Sequence, residues 1–462
     1  EARPAALRLV FAACRLGAVA APLDPRRPAS DLARAGERAD LDRLVCSAAT
    51  AADALAVADS SAGEPGLACV DGPSGDVRGL PDAGPFEAAG RRPEETQLLL
   101  FTSGTTGRPK LVPLTAGNLR ASAEASAYRL GVAPRDRWYS PLPTCHVGGL
   151  APALRSTCYG STTVLARGFD AAGALADLAT HDCTAVSLVP TMLRRLLEAD
   201  LPDAAGGAVP AADSPAELLA DLRFVLLGGA PAPAALVERA SDAGVAVCPT
   251  YGLTEAASQV ATVPPGEAGA DPAAVGPPLF DTDVTLVDDS GDPVPPGETG
   301  EIVVDGPTVT PGYLGNGGPP VGPNGADARG DHGLHTGDVG RFVDGRLRVL
   351  GRLTDRIVTG GENVDPAAVR AALRSHPDVA DAAVVGLPDP EWGERVAALV
   401  VPADGGRSLD RDALRAHCRG RVPDYALPRT VALADELPRT ASGTVDRDRV
   451  RDLLADAGGA GP

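Results

Sequence analysis

Lysine is almost absent from this chain, and acidic residues dominate its charge. Lys110 is the only lysine among 42 lysines and arginines, so every other cationic side chain of that kind is an arginine. Aspartate and glutamate together number 61, which gives a formal net charge of −19 at pH 7. A surface with this excess of negative charge repels nucleic acids and anionic membranes. We therefore expect neither as a partner.

Aromatic residues are also scarce, at 3% of the sequence. An acidic, nearly lysine-free chain that avoids large apolar side chains is what we expect of a protein that works in a very salty cytoplasm. At ~1 M salt the Debye length is only ~3 Å, so the self-repulsion of an acidic surface is largely screened. Genomic base composition is the alternative explanation. It accounts for arginine in place of lysine, but not for the acidic excess.

Zinc motifs and membrane-length apolar runs are missing. The eight cysteines form no Cys-x-x-Cys pair and have no histidine at zinc spacing. We expect them to be small core residues in a reducing compartment, which favours a cytoplasmic location. No segment approaches the ~20 uninterrupted apolar residues of a membrane-spanning helix. The chain opens at Glu1 in a stretch that reads like the interior of a domain, so we expect that the natural domain begins earlier.

The most informative segment runs from Leu98 to Lys110, where an apolar strand leads into hydroxyls, glycines and the one lysine. Hydroxyls can donate to phosphate oxygens, glycines let backbone N–H groups approach an anion, and the lysine adds a mobile charge. A flexible turn is the alternative, and the preceding strand and terminal lysine argue against it. The residues predicted to bind phosphate are Thr102, Ser103, Gly104, Thr105, Thr106, Gly107 and Lys110.

Two later strand ends carry groups that suit a nucleoside triphosphate. A strand predicted at 222–227 ends in small residues, which allow a flat ring to lie on the backbone at the edge where α/β sheets bind ligands. After the next strand, Tyr251 can stack on a base, Thr254 can bond a phosphate, and Glu255 can hold Mg²⁺ through carboxylate oxygen. The small residues at the first strand end are Gly228, Gly229 and Ala230.

The phosphate segment is not a Walker A loop, because its lysine lies three residues after the second glycine and leucine follows. The order strand-Thr-Ser-Gly-Thr-Thr-Gly-x-Pro-Lys resembles instead the phosphate loop of the adenylate-forming superfamily. That superfamily includes acyl- and aryl-CoA synthetases, firefly luciferases and peptide synthetase adenylation domains. The resemblance implies an AMP-forming ligase that uses ATP, Mg²⁺ and CoA with a small-molecule carboxylic acid, as a monomer or a homo-oligomer.

Further motifs follow in the order of that superfamily, and the resemblance implies their roles. His146 would border the acyl pocket, Asp338 would accept hydrogen bonds from the ribose hydroxyls, and Arg352 would also contact the nucleotide. The hinge position is Thr354, where aspartate or lysine is usual. The residues implied to line the tunnel for the pantetheine arm of CoA are Gly360, Gly361, Glu362 and Asn363.

Helix and strand patterns alternate along the first 270 residues and predict the α/β class, with stacked, mostly parallel layers. A β-rich subdomain is predicted from Gly276, and a small α+β segment follows, as the superfamily's mobile lid does. We therefore expect a large N-terminal domain at 1–351 and a C-terminal lid domain at 352–462. A short strand is also predicted at 18–23, after a helix at 4–17.

One motif departs from the superfamily. The last one, Pro-Arg-Thr-x-Ser-Gly-Lys, ends here in Thr444 instead of lysine. In the superfamily this lysine bridges the substrate carboxylate and the α-phosphate, and the loss of such a group reduces a rate by ~10²- to 10³-fold. Arg439 or Arg447 is the candidate substitute.

The segments 140–165, 189–198, 226–233 and 251–262 resemble the 2-succinylbenzoate-CoA ligases of menaquinone synthesis more than the fatty acid enzymes. A second carboxylate on such an acid needs an anion site, for which Arg155 is the candidate, with Ser258 and Gln259 as polar neighbours. A charge on a helix surface is the alternative for Arg155. The alternatives for the protein are another acyl- or aryl-CoA ligase, or a nucleotide-binding homologue whose adenylation has lapsed.

Overall fold

A computed structural model describes residues 4–27, 29–61, 63, 65–80, 84–102, 110–201, 212–314, 329–353, 357–359, 362–403, 409–439 and 445–458. The chain divides into two compact units. The first comprises Glu1–Thr285, Val303–His335 and Val343–Arg348, and the second comprises Leu286–Ile302, Thr336–Phe342 and Val349–Pro462. The domain boundary expected at 351/352 stays a prediction.

Helices and strands alternate through most of the chain. The helices are α1 (Pro4–Leu16), α2 (Ala29–Ala39), α3 (Ala51–Ser60), α4 (Ala116–Leu130), α5 (Val147–Tyr159), α6 (Ala171–Thr180), α7 (Pro190–Leu197), α8 (Pro215–Ala220), α9 (Ala234–Asp242), α10 (Pro366–Arg374), α11 (Arg411–Cys418) and α12 (Arg447–Gly458). The strands are β1 (Arg43–Cys46), β2 (Gly66–Cys69), β3 (Thr96–Thr102), β4 (Lys110–Thr115), β5 (Arg137–Ser140), β6 (Thr162–Leu165), β7 (Ala185–Leu188), β8 (Phe224–Leu227), β9 (Val247–Leu253), β10 (Ser258–Thr262), β11 (Asp283–Val287), β12 (Gly300–Asp305), β13 (Arg329–Gly330), β14 (Gly333–Val343), β15 (Arg346–Arg352), β16 (Ile357–Thr359), β17 (Glu362–Val364), β18 (Val379–Asp389), β19 (Gly393–Pro402) and β20 (Thr430–Leu433).

A six-stranded sheet forms the centre of the first unit, with strand order β10-β9-β8-β7-β5-β6. Strands β5 to β9 run parallel, and β10 pairs antiparallel with β9 at one edge. Apolar side chains of β8 alternate between the two faces: Val225 and Leu227 pack in the cluster with helices α6, α7 and α9, while Phe224 and Leu226 pack with Trp138. Burial of both faces is typical of parallel strands flanked by helices. The predicted α/β class is confirmed.

The sheet formed by β16 to β20 in the second unit is mainly antiparallel and also has a core on each face. Strand order is β17-β16-β19-β18, with β20 beside β19. Alternate residues of β18 point to opposite sides, so Val384 packs with Leu373 of α10 and Leu414 of α11, while Val385 packs with Val450 of α12. Helix α12 was not predicted from the sequence.

The strand predicted at 18–23 is wrong. Only Ala20 contributes, through a single parallel bridge to Leu98 of β3. Pro22 lacks a backbone N–H and cannot extend the ladder. Conversely, the sequence did not predict β4, which pairs antiparallel with β3 and so forms the second side of the hairpin that carries the phosphate segment.

Asn118 fastens the first turn of α4 to a distant segment of the same unit. Its side chain and that of Thr115 form a reciprocal capping box at the start of the helix. The Asn118 Nδ2 group also donates to the carbonyls of Pro307 and Val309, at 2.8 and 3.0 Å. The residue is buried, so these donors and acceptors have no easy access to water. Asn118 thereby fixes the chain just before residues 310–313.

We expect Asn118→Ala to lower the free energy of unfolding by about 2–4 kcal/mol, because it removes a cap and two buried hydrogen bonds. Urea denaturation at constant salt measures this change. Asp170→Ala is the matched control, since its carboxylate caps α6 through one bond to the Gly173 N–H at 2.8 Å, and loss of an ordinary cap costs about 1 kcal/mol. Equal losses in the two variants would show that the contacts of Asn118 to 307 and 309 add nothing.

Candidate active site

The hairpin of β3 and β4 holds both ends of the predicted phosphate segment. Thr102 ends β3, and Lys110 begins β4 directly opposite it in the antiparallel register. Residues on both strands are buried, including Leu98, Leu100 and Val112, so the hairpin is anchored in the core. The residues between its ends, among them the predicted Ser103, Gly104, Thr105, Thr106 and Gly107, lie outside the described part of the chain.

Tyr313 contacts both the lysine and the predicted metal-binding carboxylate. The Lys110 Nζ lies 4.8 Å from the centre of the Tyr313 ring, over its face. The Tyr313 hydroxyl donates to Glu255 Oε1 at 2.7 Å. The tyrosine is only 9% exposed, so its ring is held by the surrounding core. The structure therefore brings Lys110 and Glu255 to one place and adds a residue that the sequence analysis missed.

Thr310 connects the backbone at Glu255 to strand β4 through two hydrogen bonds. The Thr310 N–H donates to the Glu255 carbonyl at 2.7 Å, and the Thr310 hydroxyl donates to the Pro113 carbonyl of β4 at 2.6 Å. Thr310 is fully buried. It ties the turn that bears Thr254 and Glu255 to the strand that begins with Lys110.

The turn at 254–258 also contains strained backbone. Ala257 has φ +51° and Ser258 has φ +110°, in a region that costs a non-glycine residue of order 1–3 kcal/mol. The Ser122 hydroxyl donates to the Ala257 carbonyl at 2.7 Å and holds this conformation. Strain maintained by specific bonds is typical of functional sites, and the half-buried Ser258 stays a predicted substrate residue.

Two glycines, Gly228 after β8 and Gly252 beside Tyr251, are packed so closely that no side chain fits at either position. A Cβ on Gly228 would lie 2.6 Å from Thr250 Cγ2, and a Cβ on Gly252 would lie 1.8 Å from the Ser258 carbonyl oxygen. Tyr251 itself belongs to β9, which continues to Leu253, so Tyr251 lies within the strand and not after it as expected. Gly228, Gly229 and Ala230 follow β8. A flat base between these residues and Tyr251 remains a prediction.

His146 lies in a charged cluster that the sequence analysis did not assemble. It precedes α5, and its Nε2 lies 3.4 Å from Arg26 Nη2 and 3.7 Å from Asp24 Oδ2. Arg26 also holds Asp24 with two 2.8 Å hydrogen bonds. The donor atoms of Asp24, Cys145 and His146 lie within 4.8 Å of one another, but the guanidinium already neutralises the carboxylate.

Burial and neighbouring charge set the protonation of this cluster. Burial lowers the pKa of His146, and Arg26 lowers it further against the opposing effect of Asp24, so the imidazole is neutral at pH 7. Burial alone would raise the pKa of Asp24, but hydrogen bonds from Arg26 leave it below its ordinary value. Burial raises the pKa of the Cys145 thiol to about 11, which keeps it protonated. The cluster of Asp24, Arg26, Cys145 and His146 therefore has no net charge, because the imidazole is neutral and the carboxylate is paired with Arg26. Arg27 is a further positive charge near His146.

Arg155 is buried rather than exposed on its helix, which excludes the surface-charge alternative. It is 2% exposed. Its Nη1 donates to Gln259 Oε1 at 2.6 Å, and its Nη2 donates to Ser122 Oγ at 2.8 Å. Its Nε has no hydrogen-bond partner among the described residues. Burial lowers the pKa of the guanidinium, yet an arginine remains charged. Arg155, Gln259 and Ser122 thus join α5, β10 and α4, a structural role that the sequence did not predict.

Asp338 and Arg352, predicted separately to contact the nucleotide, pair with each other in the second unit. Arg352 Nε lies 3.0 Å from Asp338 Oδ1. The loop before Asp338 is held by the Thr336 hydroxyl, which donates to the Ile302 carbonyl at 2.7 Å, and by the Gly337 N–H, which donates to Glu301 at 2.9 Å. Asp338 is mostly buried and Arg352 is exposed.

The remaining lid predictions are covered only in part. Glu362 is exposed and lies opposite Thr359 in the β16–β17 hairpin. Arg439 forms an ion pair with Asp381 at 3.2 Å, and Arg447 begins α12. The other predicted positions lie outside the described residues: Thr354, Gly360, Gly361 and Thr444.

Among the described residues, no helix is both long enough and apolar enough to cross a lipid bilayer.

Relatives with two different acid substrates match the chain. A 2-succinylbenzoate-CoA ligase of Geobacillus kaustophilus is 40% identical over 368 residues, which cover 78% of this chain and 70% of the relative. A feruloyl-CoA synthase of an Amycolatopsis species is 37% identical over 451 residues, which cover 97% of this chain and 86% of the relative.

Solved structures of a related enzyme have the same fold as this chain. The o-succinylbenzoate CoA synthetase (MenE) of Bacillus subtilis, in complex with the acyl-adenylate OSB-AMP, superposes with a TM-score of 0.82 at 31% identity and covers 98% of this chain and 87% of its own. The same enzyme with ATP and a magnesium ion gives a TM-score of 0.81 at 31% identity, with coverage of 99% and 88%.

Family models account for both ends of the chain. The model of the AMP-binding enzyme family matches residues 1–314, and that of the AMP-binding enzyme C-terminal domain matches residues 369–444. The hairpin, the Glu255 turn and Tyr313 all lie in the first match. The chain belongs to the AMP-binding enzyme family, whose acyl-CoA ligases are its relatives.

Proposed function

We propose that this protein joins a carboxylic acid to CoA in an ATP-dependent, AMP-forming reaction, and that the acid is 2-succinylbenzoate. The observation that carries the ligase proposal is that Lys110 and Glu255 both contact Tyr313, the lysine over the ring face and the carboxylate through the hydroxyl. A cation and a carboxylate brought together in this way can act on neighbouring phosphate oxygens, the cation directly and the carboxylate through a metal ion. The relatives that act on 2-succinylbenzoate support the choice of acid.

The donor set at Glu255 fits Mg²⁺. This ion prefers carboxylate oxygens together with phosphate and water, and Glu255 is half-buried with one oxygen bonded to Tyr313, which leaves the second oxygen as a ligand. The metal, when bound, neutralises charge on the phosphates. Thr102 and Lys110 at the hairpin ends then bind the β- and γ-phosphates, with Thr254 on a further phosphate oxygen.

The reaction proceeds in two substitutions. The substrate carboxylate attacks the α-phosphorus of ATP, the bond to the bridging oxygen breaks, and pyrophosphate leaves. The CoA thiol, after loss of its proton, then attacks the acyl carbonyl and AMP leaves. Both steps depend on positioning and charge neutralisation. Lys110 acts on the departing pyrophosphate, Tyr251 stacks on the base, and the neutral His146 borders the acyl group.

A second candidate acid is ferulate or a related aromatic acid. The feruloyl-CoA synthase matches a larger share of this chain than the 2-succinylbenzoate-CoA ligase does, at 97% against 78%. The net charge of the cluster around His146 is also close to zero, so this cluster does not by itself select an acid with a second carboxylate.

We expect thioester formation from 2-succinylbenzoate with the highest kcat/KM in a panel that includes ferulate, benzoate and octanoate. The assay contains ATP, Mg²⁺ and CoA, and is run from low salt to several molar KCl to test the halophilic composition. Thioester from ferulate with a higher kcat/KM would select the second candidate. Binding of ATP with no turnover of any acid would contradict the ligase proposal and leave a nucleotide-binding homologue.

Thr444 predicts a slow first step that a lysine would accelerate. We expect Thr444→Lys to raise the rate of ATP/pyrophosphate exchange by ~10²-fold, because a preorganised cation is restored between the carboxylate and the α-phosphate. Thr440→Lys, in the same motif, is the matched control and should give no increase. If Thr444→Lys leaves the rate unchanged while Arg439→Ala abolishes exchange, the arginine supplies the missing charge.

Arg155 is the proposed partner of the second carboxylate, because a buried guanidinium with neutral partners attracts an anion. Arg155→Met removes the charge and keeps much of the volume. We expect it to raise KM for 2-succinylbenzoate by ~10-fold or more, as for a lost charge-assisted bond, and to leave KM for benzoate unchanged. Arg129→Met is the control, since Arg129 is a half-buried arginine of the same unit that donates to the Pro278 carbonyl at 2.8 Å. Equal effects on both acids would assign Arg155 a purely structural role.

A further inference from the structure

We infer that Tyr313 is a positioning residue that sets the separation of the phosphate-binding lysine and the metal-binding carboxylate. The inference rests on the proposed function and adds to it a residue that neither the phosphate motif nor the Glu255 motif contains. It is carried by two different contacts made by one side chain.

The first contact orients Glu255. A hydroxyl that donates to Oε1 at 2.7 Å fixes the rotation of the carboxylate and occupies one of its lone pairs. The Thr310 N–H fixes the backbone of the same residue. With both ends held, the Oε2 atom has a defined direction before any ligand binds. Preorganisation of this kind reduces the reorganisation needed when a cation is bound.

The second contact holds Lys110. Its ammonium group lies over the electron-rich ring face at 4.8 Å, a geometry that attracts a cation most strongly where water is partly excluded. The backbone supports the same arrangement, because Leu314 forms an antiparallel bridge to Leu111, next to Lys110. The ring face therefore contributes to the position of the ammonium group, and the hydroxyl at the edge of the same ring orients the carboxylate.

One buried aromatic side chain thus contacts both charged groups, the ammonium through its ring face and the carboxylate through its hydroxyl. Lys110 would bind oxygens of the triphosphate and Glu255 would hold the metal that neutralises the same group, so the two side chains must keep their positions relative to each other. Tyr313 is buried and has only two side-chain torsions, which makes it a stiffer spacer than an arginine or glutamine of similar reach. The predicted signature is a loss of metal affinity that can be separated from a loss of phosphate affinity.

Two substitutions separate the contacts. Tyr313→Phe removes the hydroxyl and keeps the ring, while Tyr313→Leu removes both. Tyr139→Phe is the matched control, because the Tyr139 hydroxyl also donates to a carboxylate, Asp177 Oδ2 at 3.2 Å, and Tyr139 is 2% exposed in the same unit. Urea denaturation of the four proteins establishes that each variant is folded at the assay temperature.

We expect Tyr313→Phe to raise the Mg²⁺ concentration for half-maximal ATP/pyrophosphate exchange by ~10-fold, as for a lost hydrogen bond to a charged group. Calorimetric titration with ATP in EDTA should give an unchanged Kd for this variant. Tyr313→Leu should show the same metal defect and a ~3- to 10-fold weaker Kd for metal-free ATP, from the lost ring contact. Electron paramagnetic resonance of Mn²⁺ with ATP gives the metal affinity without turnover.

A metal dependence of Tyr313→Phe equal to that of Tyr139→Phe would overturn the inference. So would equal Kd values for metal-free ATP in Tyr313→Phe and Tyr313→Leu. Failure of the proposed function has a different signature: the unsubstituted protein binds ATP and Mn²⁺ in the titrations but catalyses no exchange with any acid. The binding measurements then still decide the role of Tyr313.

Discussion

The antiparallel register of β3 and β4 is the constraint on which the candidate site depends. It places Lys110 opposite Thr102, the last pair before the connecting segment, in a hairpin whose central residues are buried. Consecutive residues are buried on both strands, so both faces of the pair are packed. A slip by one residue would exchange these two packed faces and disrupt the core on each side. The core therefore fixes the position of the one lysine. The Tyr313 ring contacts this lysine, and Thr310 binds the same strand through the Pro113 carbonyl.

The buried charged residues of the candidate site differ in whether they have a partner of opposite charge. Asp24 is neutralised by Arg26 beside His146, and Asp338 is paired with Arg352 in the second unit. Arg155 is different, because the partners that its guanidinium has in the structure are an amide oxygen and a hydroxyl. A buried charge without an opposite charge is costly, which is the physical reason to test it as an anion site.

The fold class was predicted correctly, because helix and strand periodicity is a local property of the sequence. The phosphate segment and the turn at Glu255 could be proposed because each is a contiguous motif, and their roles stay predictions. Helix and strand periodicity gave most elements within a few residues, and β9 ran longer than expected because the Tyr251 motif continues the strand. Tyr313 could not be found in this way: it lies 58 positions from Glu255, and nothing local distinguishes it from an ordinary tyrosine after a glycine. The partnership of Arg26 with His146 spans 120 positions. Contacts at such separations follow from the topology, which no local pattern records. The burial of Arg155 was missed for a related reason, since its partners come from two other elements.

The position of the Lys110 ammonium also bears on whether the protein can be acylated by the acyl-adenylate intermediate of the proposed reaction. An acyl-adenylate is a mixed anhydride that transfers its acyl group to amines, and a side-chain amine is the usual target within a protein. The chain carries one such amine in 462 residues, and in the proposed reaction it faces pyrophosphate rather than the activated carbonyl. Self-acylation therefore has a single side-chain target on the wrong side of the nucleotide. Within the 462 residues, an amine-reactive label has one side-chain target, which lies on the phosphate-binding hairpin.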